Sequence, residues 1–336
     1  MRSARTNLGA QRGVAILLAI FIMTIATVIV TGLFWRQFVV LRTIDNEQTA
    51  AQARLLLHGA QDWARTILQD QPHPAYDALS DPWAQPLART RLDQLGETAP
   101  LAARATLEGG IEDAQARFNL RNLIDAAGNI NPVQLAVLDK LATLLGTPAG
   151  TARLVAGYVA HAYSATALGA TGSAAVGATA GGGAAGNGPV TAQASPRPVP
   201  PVFPGDLAAV PGIDPGAALT LSQFVILLDQ ANTAVNFNTA GPELMAATIP
   251  DLAISDANAL AAERDRAYFL NVGDIQNRLR GRGGAVSFAG ISTGSQYFIV
   301  QGTVRLDHAS THVRALTRRA GTGPQGSTEV LWERDQ

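Results

Sequence analysis

The chain has 336 residues, with 25 Lys and Arg, 26 Asp and Glu, and no cysteine. A formal net charge of -1 provides no global basic field for nucleic acid. The lack of cysteine excludes disulfides, thiolate metal sites and cysteine nucleophiles. The length suits two compact units plus an anchor.

The N-terminus carries the strongest signal. Residues 1–13 hold Arg2, Arg5 and Arg12 and no acidic residue. From Val14 to Trp35 no residue is charged, a run of about 22 residues, enough for a helix to cross roughly 30 Å of hydrocarbon. A helix satisfies its own backbone hydrogen bonds and so can sit in lipid. The preceding arginines predict a cytoplasmic N-terminus, with the rest of the chain outside. A secretory signal peptide would have a shorter apolar core with an A-x-A-like cut after it, and no clear site of that kind adjoins Trp35. Beyond the span, Ala53, Leu56, Leu57, Ala60, Ala64, Ile67 and Leu68 recur at helical spacing, so the helix is predicted to continue until Pro72 and Pro74 stop it.

Arg12, Gly13, Val14 and Ala15 place a basic leader ending in glycine directly against the apolar run. This resembles the type IV prepilin class. The resemblance implies cutting by a prepilin peptidase between Gly13 and Val14, methylation of the new amine, and retention of the apolar helix. Most prepilins carry a glutamate five residues after the cut, which the class is thought to pair with the N-terminal amine of a neighbouring subunit. Here that position is Leu18. A carboxylate unpaired in the bilayer costs several kcal/mol. Its absence resembles the K-type minor pseudopilin, a tip subunit with nothing packed ahead of it. Val14, Leu17, Leu18, Phe21, Ile25 and Val28 are the expected membrane and partner-packing residues.

Further along, 81–100 reads as a linker with prolines at 82, 86 and 100. Residues 103–107 and 111–118 are predicted to pair as strands around Gly109 and Gly110. Asn131 and Pro132 open a helix that Gly146 closes, and a second helix covers 151–163. Residues 164–204 run in Ala, Gly, Ser and Thr and then proline, a low-complexity loop. Helices are expected again over 205–280, and strands over 296–306, 311–317 and 328–333. Phe298, Val300, Val304 and Leu306 share one strand face.

Strands flanking a helical insertion are the second resemblance. Asp113 to Leu120, Val235 to Ala240, and Tyr297 with Phe298 match in kind the type II secretion minor pseudopilins of the general secretion pathway protein K family. The resemblance implies an α+β fold: a long N-terminal transmembrane helix and a pilin-like α+β head with a large inserted all-α domain. In this sequence the leader is 1–13, the transmembrane and stem helix 14–70, the head 71–130 and 285–336, and the insertion 131–284. It further implies a non-enzymatic, inner-membrane subunit with a periplasmic head, which initiates the pseudopilus and helps export folded proteins. The implied partners are the I- and J-type minor pseudopilins, the major pseudopilin, the prepilin peptidase and the inner-membrane assembly platform. Some members look calcium-binding through an acidic loop; here that stretch is His161, Ala162, Tyr163, Ser164, Ala165 and Thr166, without carboxylates, so no cofactor is expected.

Other patterns have plainer readings. Asn119, Asn122, Asn236 and Asn238 read as local caps of helices and turns. Gly290, Ser292 and Gly294 match G-x-S-x-G, with Asp307 and His308 downstream, but a strand-like segment follows the serine where a nucleophile elbow needs a helix. His308 and His312 lack a third ligand, and Gly181 to Gly183 lack the Lys-Ser/Thr of a nucleotide loop. Val210 to Gly216 resembles a helix-hairpin-helix turn, so the alternative is a membrane-anchored periplasmic DNA receptor. Against it, 198–250 contains no Lys or Arg but four acidic residues, Asp206, Asp214, Asp229 and Glu243.

Overall fold

The computed structural model describes residues 10–73, 75–97, 100–171, 201, 203–279, 290–323 and 326–335. A single helix, α1, runs over Ala10–Gln69 for 60 residues. Its second half carries a buried stripe of Ala53, Leu57, Ala64 and Leu68, spaced so that one face meets the sheet at each turn. The sheet has five strands in the order β1 (Leu87–Arg91), β2 (Ala105–Asp113), β7 (Tyr297–Leu306), β8 (Ala309–Ala320) and β9 (Ser327–Asp335). All four of its pairings are antiparallel. As the alternation predicts, Phe298 and Val300 pack with Ala64 and Leu68, while Val304 and Leu306 pack with Ala53 and Leu57.

Between β2 and β7 lies a helical unit with its own core. It comprises α2 (Pro132–Leu144), α3 (Thr151–Thr171), α4 (Pro215–Ser222), α5 (Pro242–Thr248), α6 (Ile254–Arg266) and α7 (Val272–Arg278). Asn131 caps α2 by accepting from the Val133 and Gln134 amides, and Gly146 ends it with φ of 69°. The core of this unit also takes in Phe118, Leu120, Leu123, Ile124 and Ile291, on both sides of the 131–284 expectation.

Several expectations are corrected. The 81–100 segment is not a featureless linker: it forms a 3-10 turn over Pro82–Ala84, the edge strand β1, and a second 3-10 turn over Leu92–Leu95. Gly109 and Gly110 do not turn a hairpin; β2 runs straight through them. Gly109 stands opposite Gly302 of β7, and a Cβ on it would meet the Gln301 carbonyl oxygen at 2.4 Å. The glycine permits close strand approach rather than a bend. The second helix continues past Tyr163 to Thr171. The helical unit is not wholly α: β3 (Phe118–Asn119) pairs in parallel with β4 (Val225–Ile226), and β5 (Val235–Asn236) with β6 (Ile291–Ser292). Leader residues 1–9, most of the low-complexity loop and the 181–183 glycines lie outside the described residues.

Candidate functional site

The first half of α1 is the surface that a single chain leaves unpartnered. Its best apolar window has a mean hydropathy of 2.8 and no buried share. Val14, Leu17, Leu18, Phe21, Ile25 and Val28 are all exposed. The hydroxyls within the span do not interrupt it: Thr24 donates to the Phe21 carbonyl, Thr27 to Met23 and Thr31 to Thr27, each at 2.8 Å. Such back-bonding hides the polar group from a surrounding hydrocarbon. The span ends at Trp35 and Phe38, with the Arg42 guanidinium 5.2 Å over the Phe38 ring, the side-chain types that favour a membrane–water boundary. Gly13 and Val14 lie within α1 and are exposed, with no heavy atom within 4 Å of where a Cβ on Gly13 would lie. The structure therefore brings the expected membrane residues onto one rod and leaves the expected cut bond accessible. Leu18 lies among apolar neighbours.

At its far end the rod is fastened by a polar clasp that sequence reasoning missed. Arg319 of β8 is 6% exposed and Asp77 3%. The Arg319 Nη2 donates to both Asp77 carboxylate oxygens, at 2.8 and 2.7 Å, and to the Ser295 carbonyl at 2.8 Å. Its Nη1 reaches the Leu68 carbonyl in the last turn of α1, and the guanidinium lies 4.7 Å over the Phe298 ring. One side chain thus ties the stem, the segment after it, and the chain returning from the helical unit. The Gln71 amide bridges Asp77 and Asp81, at 2.7 and 3.0 Å, while His73 lies 3.1 Å from Asp81. Burial pushes the Asp77 carboxyl up, against the Arg319 charge and hydrogen bond that draw it down.

Asp113, at the end of β2, is the second knot. Its carboxylate accepts from Ser295 Oγ and Thr239 Oγ1 at 2.6 Å, from the Asn236 amide at 2.8 Å and from the Gln115 backbone at 2.7 Å. Burial raises its pKa and outweighs the hydrogen bonds from Ser295, Thr239 and Gln115 that lower it. A carboxyl with a raised folded pKa contributes stability below its unfolded pKa, and that contribution is lost as pH rises through the folded value. The cost of Asp113→Asn, measured from urea midpoints, is therefore expected to be largest near pH ~4 and to shrink toward neutrality. A cost that grows with pH would mean the donors, not burial, govern this group.

Asn119 and Asn236 make the expected local contacts, accepting from the amides two residues on, but the asparagines also reach further. Asn119 does cap a 3-10 turn, accepting from the Arg121 amide, but its own amide reaches the Gln230 carbonyl and Thr233 hydroxyl. Asn122 likewise holds Thr233 through both of its polar atoms. Asn236 donates to Asp113 and Ser295. Asn238 accepts from the Phe269 amide at 2.8 Å and donates to the Phe269 and Thr293 carbonyls. They are long-range staples, needed where irregular backbone is buried away from a ladder.

The catalytic-looking patterns fall apart in space. Ser292 lies in β6, and its hydroxyl donates to the Gly294 carbonyl. Asp307 pairs with Arg104, and His308 faces Asn46. His312 bonds Thr303, and among the described residues no three His, Asp or Glu side chains form a metal cluster. The hairpin around Gly212 exists, but Asp214 accepts from the Ala217 amide at the start of α4, placing a carboxylate where a phosphate would dock.

Comparison with known proteins agrees with this architecture. Residues 235–293, which include Asn236, Asn238 and the Phe269 and Thr293 groups they hold, match the family described as type II secretion system protein K. The chain is 28% identical over 121 residues to type II secretion system protein K of Pseudomonas aeruginosa, 34% of each chain, so the match spans about a third of that relative. In fold it is similar to a chain solved in the GspK-GspI-GspJ complex of the enterotoxigenic Escherichia coli type 2 secretion system. That likeness has a TM-score of 0.58 and 19% identity, covering 86% of this chain and 98% of the other. At that identity it speaks to the fold.

Proposed function

We propose, from the K-family match and the shared fold, that this chain is a K-type minor pseudopilin of a type II secretion system. The observation that carries the reading is the continuous α1, lipid-ready over its first half and clamped to the sheet over its second. A force applied along the membrane rod reaches the head without passing through a flexible joint. The work is mechanical rather than catalytic. The basic residues ahead of the span support a cytoplasmic N-terminus and a periplasmic head. The relative in the solved complex is bound to GspI and GspJ; by analogy, the exposed helix of this chain packs against the I- and J-type subunits and then the major pseudopilin. Leu18 suits a subunit at the tip, and the bulk of the helical unit would cap the growing pseudopilus as it drives folded substrates outward. No cofactor is needed for this role.

The test is the intact mass of the chain produced with and without a prepilin peptidase. Loss of residues 1–13, with or without an added methyl group, is the expected result. An unprocessed mass beside an active peptidase would sink the assignment. Gold labelling of assembled pseudopili should then mark one end only; label along the shaft would reject the tip position.

A further inference from the structure

On the sheet face turned away from α1, a cleft of about 620 Å³ opens where Phe203 and the residues after it lie beside β8 and β9. Its size falls among small-ligand and peptide-side-chain clefts, roughly 300–1,000 Å³. Three guanidiniums line it, those of Arg117, Arg314 and Arg334. Arg314 and Arg334 stand directly opposite each other in the β8–β9 ladder. Like charges so placed repel, and the arrangement is costly unless something answers it.

The donors are also incomplete. Arg117 gives Nη2 to Glu112 at 2.7 Å and Nε to the Gln223 carbonyl at 3.2 Å, but its Nη1 is buried without a partner. Arg314 Nε is likewise buried and unpartnered. Buried N–H groups without acceptors are rare because each forfeits its hydration. The carboxylate beside them, Glu112, is already held by Arg117 and by the Gln301 amide at 3.0 Å.

The walls are aromatic. Phe203 meets Trp332 edge-on at 5.0 Å, and the Arg334 guanidinium lies 4.9 Å over the Phe203 ring. A bulge in β9 places them there. The register steps from Leu316↔Trp332 to Thr317↔Val330, skipping Leu331. In an unbulged ladder continued from Thr317↔Val330, Trp332 would stand opposite Ala315, and both it and Arg334 would turn toward the stem face.

We propose that this cleft docks an acidic peptide segment of a partner protein. A carboxylate would sit between Arg314 and Arg334 within reach of Arg117 Nη1, and a neighbouring apolar side chain would lie on Phe203 and Trp332. Planar guanidiniums suit a carboxylate, and the apolar wall beside them suits a peptide more than a bare ion. The adjoining low-complexity stretch of this chain, 164–200, contains no Asp or Glu, so it does not supply the acid. The site lies on the opposite sheet face from the stem, and peptide binding to it is read without processing or filament assembly, so its failure is distinguishable from failure of the proposed function.

The test uses the full chain in non-ionic detergent and calorimetric titration with the blocked peptide acetyl-Phe-Glu-Leu-Glu-Phe-amide. Its glutamine analogue and sodium sulfate are the comparison probes. The acidic peptide is expected to bind at least about ten-fold more tightly than the glutamine peptide, and Arg314→Gln and Arg334→Gln should each weaken it by about ten-fold or more. The urea midpoint of Arg334→Gln should be no lower than the parent's, because that side chain is exposed on an edge strand and its loss relieves the repulsion with Arg314; it keeps the test decisive if Arg314→Gln fails to fold. Equal binding of the two peptides, no saturation at millimolar peptide, or unchanged affinity in Arg334→Gln would overturn the proposal. Sulfate binding as tightly as the acidic peptide would reduce the cleft to an ion site and overturn it too.

Discussion

Replacing Arg319 with methionine is expected to destabilise the head by about 3–5 kcal/mol, because removing one partner of a buried pair strands the other. Asp77 would keep only the Ser295 amide and the Gln71 side chain, and the Leu68 and Ser295 carbonyls would lose their donor. The measurement is urea unfolding followed by tryptophan fluorescence; Trp83 is a close reporter, since its indole N–H donates to Asp81. Pairing the change with Asp77→Asn should return part of the loss, as the stranded charge is gone. Moderate salt should alter the cost little, because a pair this buried is poorly screened. A cost below about 1 kcal/mol, the usual worth of a surface pair, would show that the clasp contributes little.

The second large effect is expected at Asn238. Its alanine variant leaves the Phe269 N–H and carbonyl unanswered in a fully buried place, and the Thr293 carbonyl with the Asp77 amide alone. At about 1–3 kcal/mol for each orphaned buried group, and less than additively, the loss should reach about 3–5 kcal/mol. Asn238→Asp separates hydrogen bonding from shape. It keeps an acceptor for the Phe269 amide but turns a carboxylate oxygen on two carbonyls, so it should be no more stable than alanine at neutral pH. If Asn238→Asp behaved like the parent, the two donated bonds would be unimportant.

Much of the architecture was legible because it rests on periodicity. The membrane span, the amphipathic stem and strands β7 to β9 all announce themselves by spacing, and the cap at Asn131 and stop at Gly146 bound α2. Missed features rest on contacts between distant segments. Gly109 and Gly110 are turn formers in isolation; only the approach of Gln301 and Gly302 makes them strand residues. Strand β1 is a short edge whose exposed Arg89 and Arg91 give no apolar alternation. Arg319 did leave a sign. Val313, Ala315, Thr317 and Arg319 alternate onto the core face of β8, so an arginine there predicts a buried partner. Asp77 left none, since it follows the prolines that end the stem.

The central ladder has a consequence for how the protein is made. Glu112 and Gln301 are 189 residues apart in the chain, yet lie on neighbouring strands. Loop length alone adds little to the equilibrium cost, roughly 0.6 kcal/mol per doubling. Timing is another matter. Synthesis delivers α1 and β2 long before β7, so β2 must wait with one edge open while the helical unit is still emerging. An open strand edge invites the wrong neighbour. The helical unit closes largely on its own core, which brings Asp113 and Ser295 together and hands β7 to β2 in register. In this sense the bulky unit is a folding intermediary for the head that carries it.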